Sequence, residues 1–171
     1  MVQAWLFDEK IKDQCKEIDI KALIKFGVFY EKLNPDMYAK GERYLEDPKL
    51  KFYTTEREYN FNDVVNLSEK ETKKDKCFSI EHFHVGDEIC YVVEGGGYFD
   101  FRNHKDEWIR VLIEKGDLIG IPGGIYHRFN LDETNHIKYM RLCVGDNFFL
   151  AINRPADDHF TRKKYIKEYL F

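Results

Sequence analysis

The sequence predicts an all-β protein with flanking helices, folded as a closed barrel or a double-sheet sandwich. Short segments rich in β-branched and aromatic residues recur about every 8–12 residues between positions 77 and 144, with Gly-, Pro- and Asn-containing turns between them. Aromatic residues make up 16% of the chain, which favours strands and aromatic-lined pockets.

The 171 residues are expected to form one domain, since domains usually hold about 100–200 residues. Within residues 1–171, three parts differ in pattern. Residues 1–76 are charged and mixed, and are interpreted as an N-terminal elaboration of strands and helices. Residues 77–150 are predicted to form the barrel core, and residues 151–171 a loop and a short terminal helix.

The N-terminal part contains two predicted helices. Apolar residues at helical spacing in residues 20–26 predict the first, with Asp19 as its N-cap and Gly27 at its end. Residues 60–67 are predicted to form a second, short helix, although their asparagines disfavour it. The mixed charges of residues 69–76 indicate a solvated helix end or loop rather than a binding patch.

The core is predicted to consist of short strands and tight turns. Residues 89–93 are β-branched and aromatic, Gly95–Gly97 are interpreted as a hairpin turn, and Tyr98–Arg102 resume as a strand. Further predicted strands are Trp108–Ile113, Leu118–Ile121 and Lys138–Val144.

Composition excludes several classes of protein. A net charge of −4 provides no basic surface for nucleic acid or anionic membrane. The cysteines at 15, 77, 90 and 143 form no C-x-x-C pair and indicate a reduced, intracellular protein. The N-terminus becomes charged too early for a signal peptide, and no apolar run reaches the roughly 20 residues of a membrane helix. We therefore expect a soluble, cytoplasmic protein.

Four candidate metal ligands stand in two clusters: His82, His84 and Glu88, and then His127. Side chains two apart on a strand share a face, so the first two histidines are expected to point into the barrel together. A turn or bulge at residues 86–87 is expected to return Glu88 to the same strand path. His127 follows after two predicted hairpins, which allows a neighbouring strand to bring it back over the first cluster.

The chemistry of this set favours a metal site. Imidazoles and a carboxylate suit divalent iron, nickel, manganese or zinc, and four ligands leave two adjacent positions open on an octahedral ion. A single His-x-His on a strand is more often a surface or core feature, but its joint occurrence with the other two residues favours metal binding. His104, His136 and His159 lack such a context and are interpreted as loop or tail residues.

These motifs carry a resemblance. The pattern H-x-H-x3-E followed by G-x5-P-x-G-x2-H resembles the cupin superfamily, which implies a double-stranded β-helix (jelly-roll) barrel. Longer strings resemble the acireductone dioxygenase family across most of the chain. These strings are residues 1–5, 81–89, 97–102, 108–110, 115–118, 124–129, 140–142 and 153–157.

The resemblance implies an oxidoreductase of methionine salvage that cleaves the acireductone 1,2-dihydroxy-3-keto-5-methylthiopentene with O2. With Fe²⁺, one ion per monomer, the implied products are 4-methylthio-2-oxobutanoate and formate. With Ni²⁺ they are 3-methylthiopropionate, formate and carbon monoxide. His82, His84, Glu88 and His127 match the family's metal ligands. The implied partners are this small molecule and O2, and the expected state is a monomer in the cytoplasm, with the nucleus as a second location.

One position departs from the family pattern. Where the family usually has an arginine two residues after the ligand glutamate, this chain has Cys90. Strand parity places Cys90 on the face of Glu88, where it is interpreted either as a small apolar residue or as a thiol near the metal. Arg141 matches a second family arginine, catalytic and substrate-binding, with a surface ion pair as the alternative. Phe129 is interpreted as a substrate-pocket wall or as an ordinary core residue.

Three hypotheses follow. The first is an acireductone dioxygenase, in which Glu88 and Arg141 serve catalysis. The second is a catalytically weakened metal-binding cupin with a ligand- or partner-binding role, indicated by Cys90. The third is a different cupin enzyme, such as a sugar-phosphate isomerase, although the family-specific strings outside the metal site argue against it.

Overall fold

The computed structural model of the protein describes residues 3–10, 13–40, 43–74, 77–144 and 150–170. Antiparallel strands dominate these ranges, as the sequence predicted. The strands are β1 (Gln3–Asp8), β2 (Asp13–Ile18), β3 (Phe29–Lys32), β4 (Phe61–Ser68), β5 (His82–Phe83), β6 (Glu88–Arg102), β7 (Trp108–Glu114), β8 (Asp117–Ile121), β9 (His127–Leu131), β10 (His136–Cys143) and β11 (Ile152–Asn153). The α-helices are α1 (Pro48–Glu56), α2 (Glu69–Lys74) and α3 (Phe160–Tyr165), and Ile166–Leu170 continue α3 as a π-helix. Short 3-10 helices span Ile20–Phe26, Pro35–Met37, Tyr44–Glu46 and Cys77–Ser79.

The strands form two layers that share the long strand β6. One layer has the order β11-β5-β9-β6-β7-β1-β2, and the other has the order β4-β10-β6-β8-β3. The N-terminal half of β6 pairs with β8 and β10, whereas its C-terminal half pairs with β7 and β9. Because one strand serves both layers, the sheets enclose a common interior, as the predicted barrel requires.

The predicted hairpin at Gly95–Gly97 is wrong, because β6 runs unbroken through these glycines. They lie where the strand passes from one layer to the other, because Gly95 is the last residue paired with β10 and Gly96 is the first paired with β7. Gly95 has a φ of 67°, and a Cβ there would overlap the His136 carbonyl. The glycines therefore allow a change of partners rather than a chain reversal.

The helix predicted over residues 60–67 is also wrong, because these residues belong to β4. This strand pairs antiparallel with β10 over its whole length, with Asp63 opposite Arg141. Its side chains alternate between partly buried and exposed positions along most of the strand. Pairing with a distant part of the chain therefore overrides the weak local preference.

Other predictions for the flanking parts are confirmed. Over Ile20–Phe26 the chain forms a 3-10 helix, in which the Asp19 side chain accepts a hydrogen bond from the Lys21 amide, and Gly27 ends it in the left-handed conformation. The charged segment 69–76 begins as the short helix α2, and residues 75–76 lie outside the described residues. The tail forms a loop and a helix, and it also contributes β11, which was not predicted. The boundaries at 76 and 150 stay a prediction.

The C-terminal helix supports the loop that carries the last candidate ligand. The Arg162 guanidinium donates a hydrogen bond of 2.9 Å to the Gly124 carbonyl and lies over the Tyr126 ring. The Tyr126 hydroxyl accepts a hydrogen bond of 2.7 Å from the Ala156 amide. These contacts hold residues 124–126 against the tail, directly before His127.

Buried cysteines agree with the expectation of reduced thiols. Cys90 and Cys143 are free and buried in the barrel. The side chains of Cys15 and Cys77 lie outside the described part of the chain. Among the described helices, none is both long and apolar enough to cross a bilayer.

Candidate metal centre

Strand pairing brings the predicted histidines together. His82 on β5 lies directly opposite His127 on β9, and their ring centroids are 4.6 Å apart. His84 follows β5, and its ring lies 4.9 Å from His82 and 5.4 Å from His127. Each of the three offers one ring nitrogen, and these nitrogens all lie within 4.8 Å of one another. The cluster predicted across two distant segments therefore forms.

Backbone carbonyls orient two of the rings. The Nδ1 of His82 lies 2.7 Å from the Ile80 carbonyl oxygen, and that of His127 lies 2.9 Å from the Ile125 carbonyl oxygen. A carbonyl only accepts, so each Nδ1 carries the proton and donates it. The Nε2 of each ring is thereby left with a free lone pair, which is the arrangement typical of metal-binding histidines.

Burial favours the neutral form of His82 and His127. It lowers the pKa of His82, with a smaller lowering from His84, although Glu88 and the bond to Ile80 oppose it. Burial and then the neighbouring histidines lower the pKa of His127 well below its usual value. The buried Nδ1 of His84 has no hydrogen-bond partner within the described ranges. Neutral rings with available lone pairs suit a divalent cation.

Glu88 reaches the cluster from a different strand than predicted. Residues 84–87 bend the chain, and Glu88 begins β6 in the layer of β8 and β10 instead of continuing β5. One carboxylate oxygen, Oε1, nevertheless lies 3.6 Å from His127 Nε2 and 3.9 Å from His84 Nε2. The bend at residues 86–87 was predicted, but the return to the same strand path was wrong.

A cavity of about 270 Å³ opens beside the cluster. Its walls contain every residue that the sequence singled out for metal, substrate or catalysis. The lining residues are Phe78, His82, His84, Glu88, Cys90, Phe99, His127, Phe129, Tyr139, Arg141 and Ala151. Imidazoles and a carboxylate stand on one side and aromatic rings on another, which is the composition of a small-molecule site.

Cys90 faces this cavity, as strand parity predicted, and it is only 2% exposed. Burial raises the pKa of its thiol well above the usual value, the Glu88 charge adds to this effect, and Arg141 opposes it. A protonated thiol in this setting behaves as a small apolar side chain. The geometry therefore favours the first of the two interpretations of Cys90.

Arg141 combines the two roles that the sequence left open. It lines the cavity, and it also forms a paired hydrogen bond with Asp63, with Nε–Oδ1 at 3.1 Å and Nη2–Oδ2 at 2.7 Å. Phe129 likewise both lines the cavity and packs in the core, with its ring 5.1 Å from Phe99. For Arg141 and for Phe129, the position in the cavity lining and the structural contact therefore occur together.

Sequence reasoning missed four polar or aromatic contributors: Asp63, Phe78, Phe99 and Tyr139. Asp63 was hidden by the wrong helix prediction for its strand. Tyr139 could have been found, because alternation along β10 places it on the face of Arg141. By contrast, Arg102, Arg110 and Arg128 lie outside the cavity lining and form ion pairs with Glu81 or Asp100.

Fold and site together define a cupin-type barrel with a buried histidine-rich site that can hold a metal ion. Residues 5–148 match the model of the ARD/ARD' family. Acireductone dioxygenase of Gallus gallus is 42% identical, with 98% of this chain and 96% of that protein covered. The Homo sapiens protein of the same name is 40% identical, with 98% and 97% covered. The chain belongs to the acireductone dioxygenase (ARD/ARD') family.

A solved structure supports the same fold. The acireductone dioxygenase from Bacillus anthracis, with a cadmium ion in its active centre, superposes with a TM-score of 0.75 at 23% identity. The superposition covers 89% of this chain and 98% of that one. The predicted cupin fold is thereby confirmed. Membership of the family makes the protein a metal-dependent dioxygenase, which sets aside the alternative of a cupin isomerase.

Proposed function

We propose that the protein cleaves the acireductone 1,2-dihydroxy-3-keto-5-methylthiopentene with O2 in methionine salvage. With Fe²⁺, the products are 4-methylthio-2-oxobutanoate and formate, and with Ni²⁺ they are 3-methylthiopropionate, formate and carbon monoxide. The observation that carries this proposal is the convergence of three imidazoles and Glu88 on one cavity in a chain of this family. We further propose that it acts as a monomer in the cytoplasm, with the nucleus as a second location.

Within this proposal, His82, His84, Glu88 and His127 hold the ion, one per chain. Nitrogen and carboxylate donors suit both Fe²⁺ and Ni²⁺, and we propose Fe²⁺ as the ion that the protein holds, with Ni²⁺ as the alternative. When bound, the ion supplies a Lewis acid that binds the enediolate and orients it toward O2.

The remaining residues bind and orient the organic substrate. Arg141, which is held in place by Asp63, presents a cation to the enediolate. Phe129 forms an apolar wall that excludes water from the reacting oxygens, and Cys90 leaves room opposite Arg141. The Glu88 carboxylate, beside His84 and His127, serves catalysis by completing the ligand set.

The experiment is to reconstitute metal-free protein separately with Fe²⁺ and Ni²⁺, supply acireductone, and measure O2 consumption while identifying the products. Metal-dependent turnover with the two product sets supports the proposal. Tight metal binding without turnover would overturn it in favour of the weakened cupin, for which Cys90 is the supporting observation. A metal-free control with each batch excludes spontaneous oxidation of the substrate.

A further inference from the structure

One wall of the cavity is built by three neighbouring polar side chains. Tyr139 and Arg141 lie two residues apart on β10, so they project from the same face of the strand. Cys90 lies directly opposite Arg141 on β6. All three line the cavity that contains the histidine cluster. The wall lies on the paired strands β6 and β10, whereas His82 and His127 lie on the paired strands β5 and β9.

Arg141 is already engaged on this wall. Its Nε and Nη2 donate to the two carboxylate oxygens of Asp63 on β4. The carboxylate balances the charge of the guanidinium, which weakens its attraction for a second anion. Cys90, opposite it on β6, is a small buried side chain where the family pattern has a second cation. An anionic ligand therefore finds, among the described residues that line the cavity, one arginine that is already paired and no lysine or second arginine.

The Tyr139 hydroxyl is a hydrogen-bond donor on the same wall. The side chain is only 8% exposed, and its hydroxyl makes no hydrogen bond to any residue in the described ranges. Burial raises the pKa of this phenol well above its usual value, and the Glu88 charge acts in the same direction. The hydroxyl therefore keeps its proton, and a donor of a cavity-lining residue without a protein partner gains from a ligand that accepts.

We propose that the Tyr139 hydroxyl donates a hydrogen bond to an anionic oxygen of the bound enediolate and anchors the substrate against the β10 wall. This inference rests on the proposed function. Tyr139 thereby supplies part of the recognition that a cation at position 90 would provide. A hydrogen bond to a charged acceptor strengthens as its surroundings lose water, and the cavity walls here are largely aromatic.

The test compares Tyr139→Phe with the unaltered protein, both loaded with Fe²⁺. The variant keeps the ring and removes only the hydroxyl. Anaerobic titration with the acireductone, followed by its absorbance, measures binding without turnover, and O2 consumption gives KM and kcat. The matched control is Tyr98→Phe, which removes a hydroxyl that bonds Glu133 on the surface outside the cavity.

We expect Tyr139→Phe to weaken anaerobic binding and raise KM by about tenfold, since a hydrogen bond to a charged group contributes about that factor. Its metal content and melting temperature stay unchanged, and Tyr98→Phe matches the unaltered protein. Unchanged binding in Tyr139→Phe, beside normal binding and turnover by the unaltered protein, would overturn this inference alone. A loss of metal with the loss of binding would show a structural role and overturn it as well. Failure of the unaltered protein to bind the acireductone would overturn the proposed function, and this inference with it.

Discussion

Cys90 and Arg141 lie directly opposite each other on β6 and β10, and Asp63 lies opposite Arg141 on its other side, on β4. The three residues form one row across three adjacent strands. The carboxylate binds the guanidinium by two hydrogen bonds, and Cys90, opposite Arg141 on β6, brings no second cation to the row. The row determines how much positive charge the cavity presents to an anionic substrate.

Cys90→Arg is expected to tighten acireductone binding. The new guanidinium would enter the cavity beside Arg141, where Asp63 already offsets one positive charge. Removing one partner of a buried charge pair costs about 2–5 kcal/mol, so adding the missing cation should lower Kd by tenfold or more. Anaerobic titration of the Fe²⁺-loaded protein measures the change.

Cys90→Ala is the matched control, because it alters the thiol without adding charge. It should bind the acireductone as the unaltered protein does. If Cys90→Arg folds, retains its metal and binds no more tightly than Cys90→Ala, the account of the missing cation is wrong. In the Cys90→Arg background, Tyr139→Phe should weaken acireductone binding less than it does in the unaltered protein, since both groups would bind the same substrate oxygen.

Asp63→Asn is expected to raise KM severalfold while metal content is maintained. The amide can no longer accept two charge-assisted hydrogen bonds, so Arg141 loses its fixed orientation toward the cavity. Steady-state O2 consumption over a range of acireductone concentrations measures KM and kcat separately. Asp63→Glu restores the carboxylate and should recover part of the effect.

A purely stabilising role for Asp63 would produce a different pattern. The melting temperature would then fall in Asp63→Asn, with KM unaltered in the fraction of protein that remains folded. Glu31→Gln is a suitable comparison, because Glu31 also lies on a strand and forms an ion pair, here with Lys49, but it lies outside the cavity lining.

Glu88→Ala and His127→Ala are each expected to release the metal and abolish O2 consumption. The loss of a direct ligand should exceed the roughly 10–100-fold loss of metal affinity that follows changes in outer-shell partners. Metal content after dialysis and O2 uptake with acireductone measure both effects. His104→Ala changes an exposed histidine in the turn before β7 and should behave normally. Activity that persists in a metal-free preparation of either cavity variant would refute the site assignment.

Gly97→Ala is expected to destabilise the protein and to disturb the cavity. A Cβ at this position would overlap the Phe129 ring and approach the Asn130 carbonyl oxygen to 2.7 Å. Overpacking of this kind typically costs about 1–3 kcal/mol. Thermal unfolding should show a lower midpoint, and KM should rise because Phe129 lines the cavity. Glu94→Ala, at an exposed position of the same strand, should leave both values unchanged; equal stability of the two variants would contradict this view of Gly97.

The sequence predicted the metal cluster because its signal is local and chemical. His82 and His84 stand two apart in a short segment, and His127 closes a glycine-rich turn, so residue type and spacing suffice to mark them. Strand parity likewise placed Cys90 in the cavity. The pattern failed where tertiary pairing overrides local preference, as in β4, and where glycines serve a change of strand partners instead of a turn, as at Gly95.

By itself, the sequence determined the class of fold, the four candidate ligands and the family resemblance, since these depend on periodicity and on the identities of a few side chains. Only the tertiary structure decided that Glu88 reaches the histidines from the other layer of the barrel. It also decided that Asp63 holds Arg141 and that the Tyr139 hydroxyl has no partner among the described residues. The physical reason is that antiparallel pairing joins residues far apart in the chain, and their register cannot be read from any one segment.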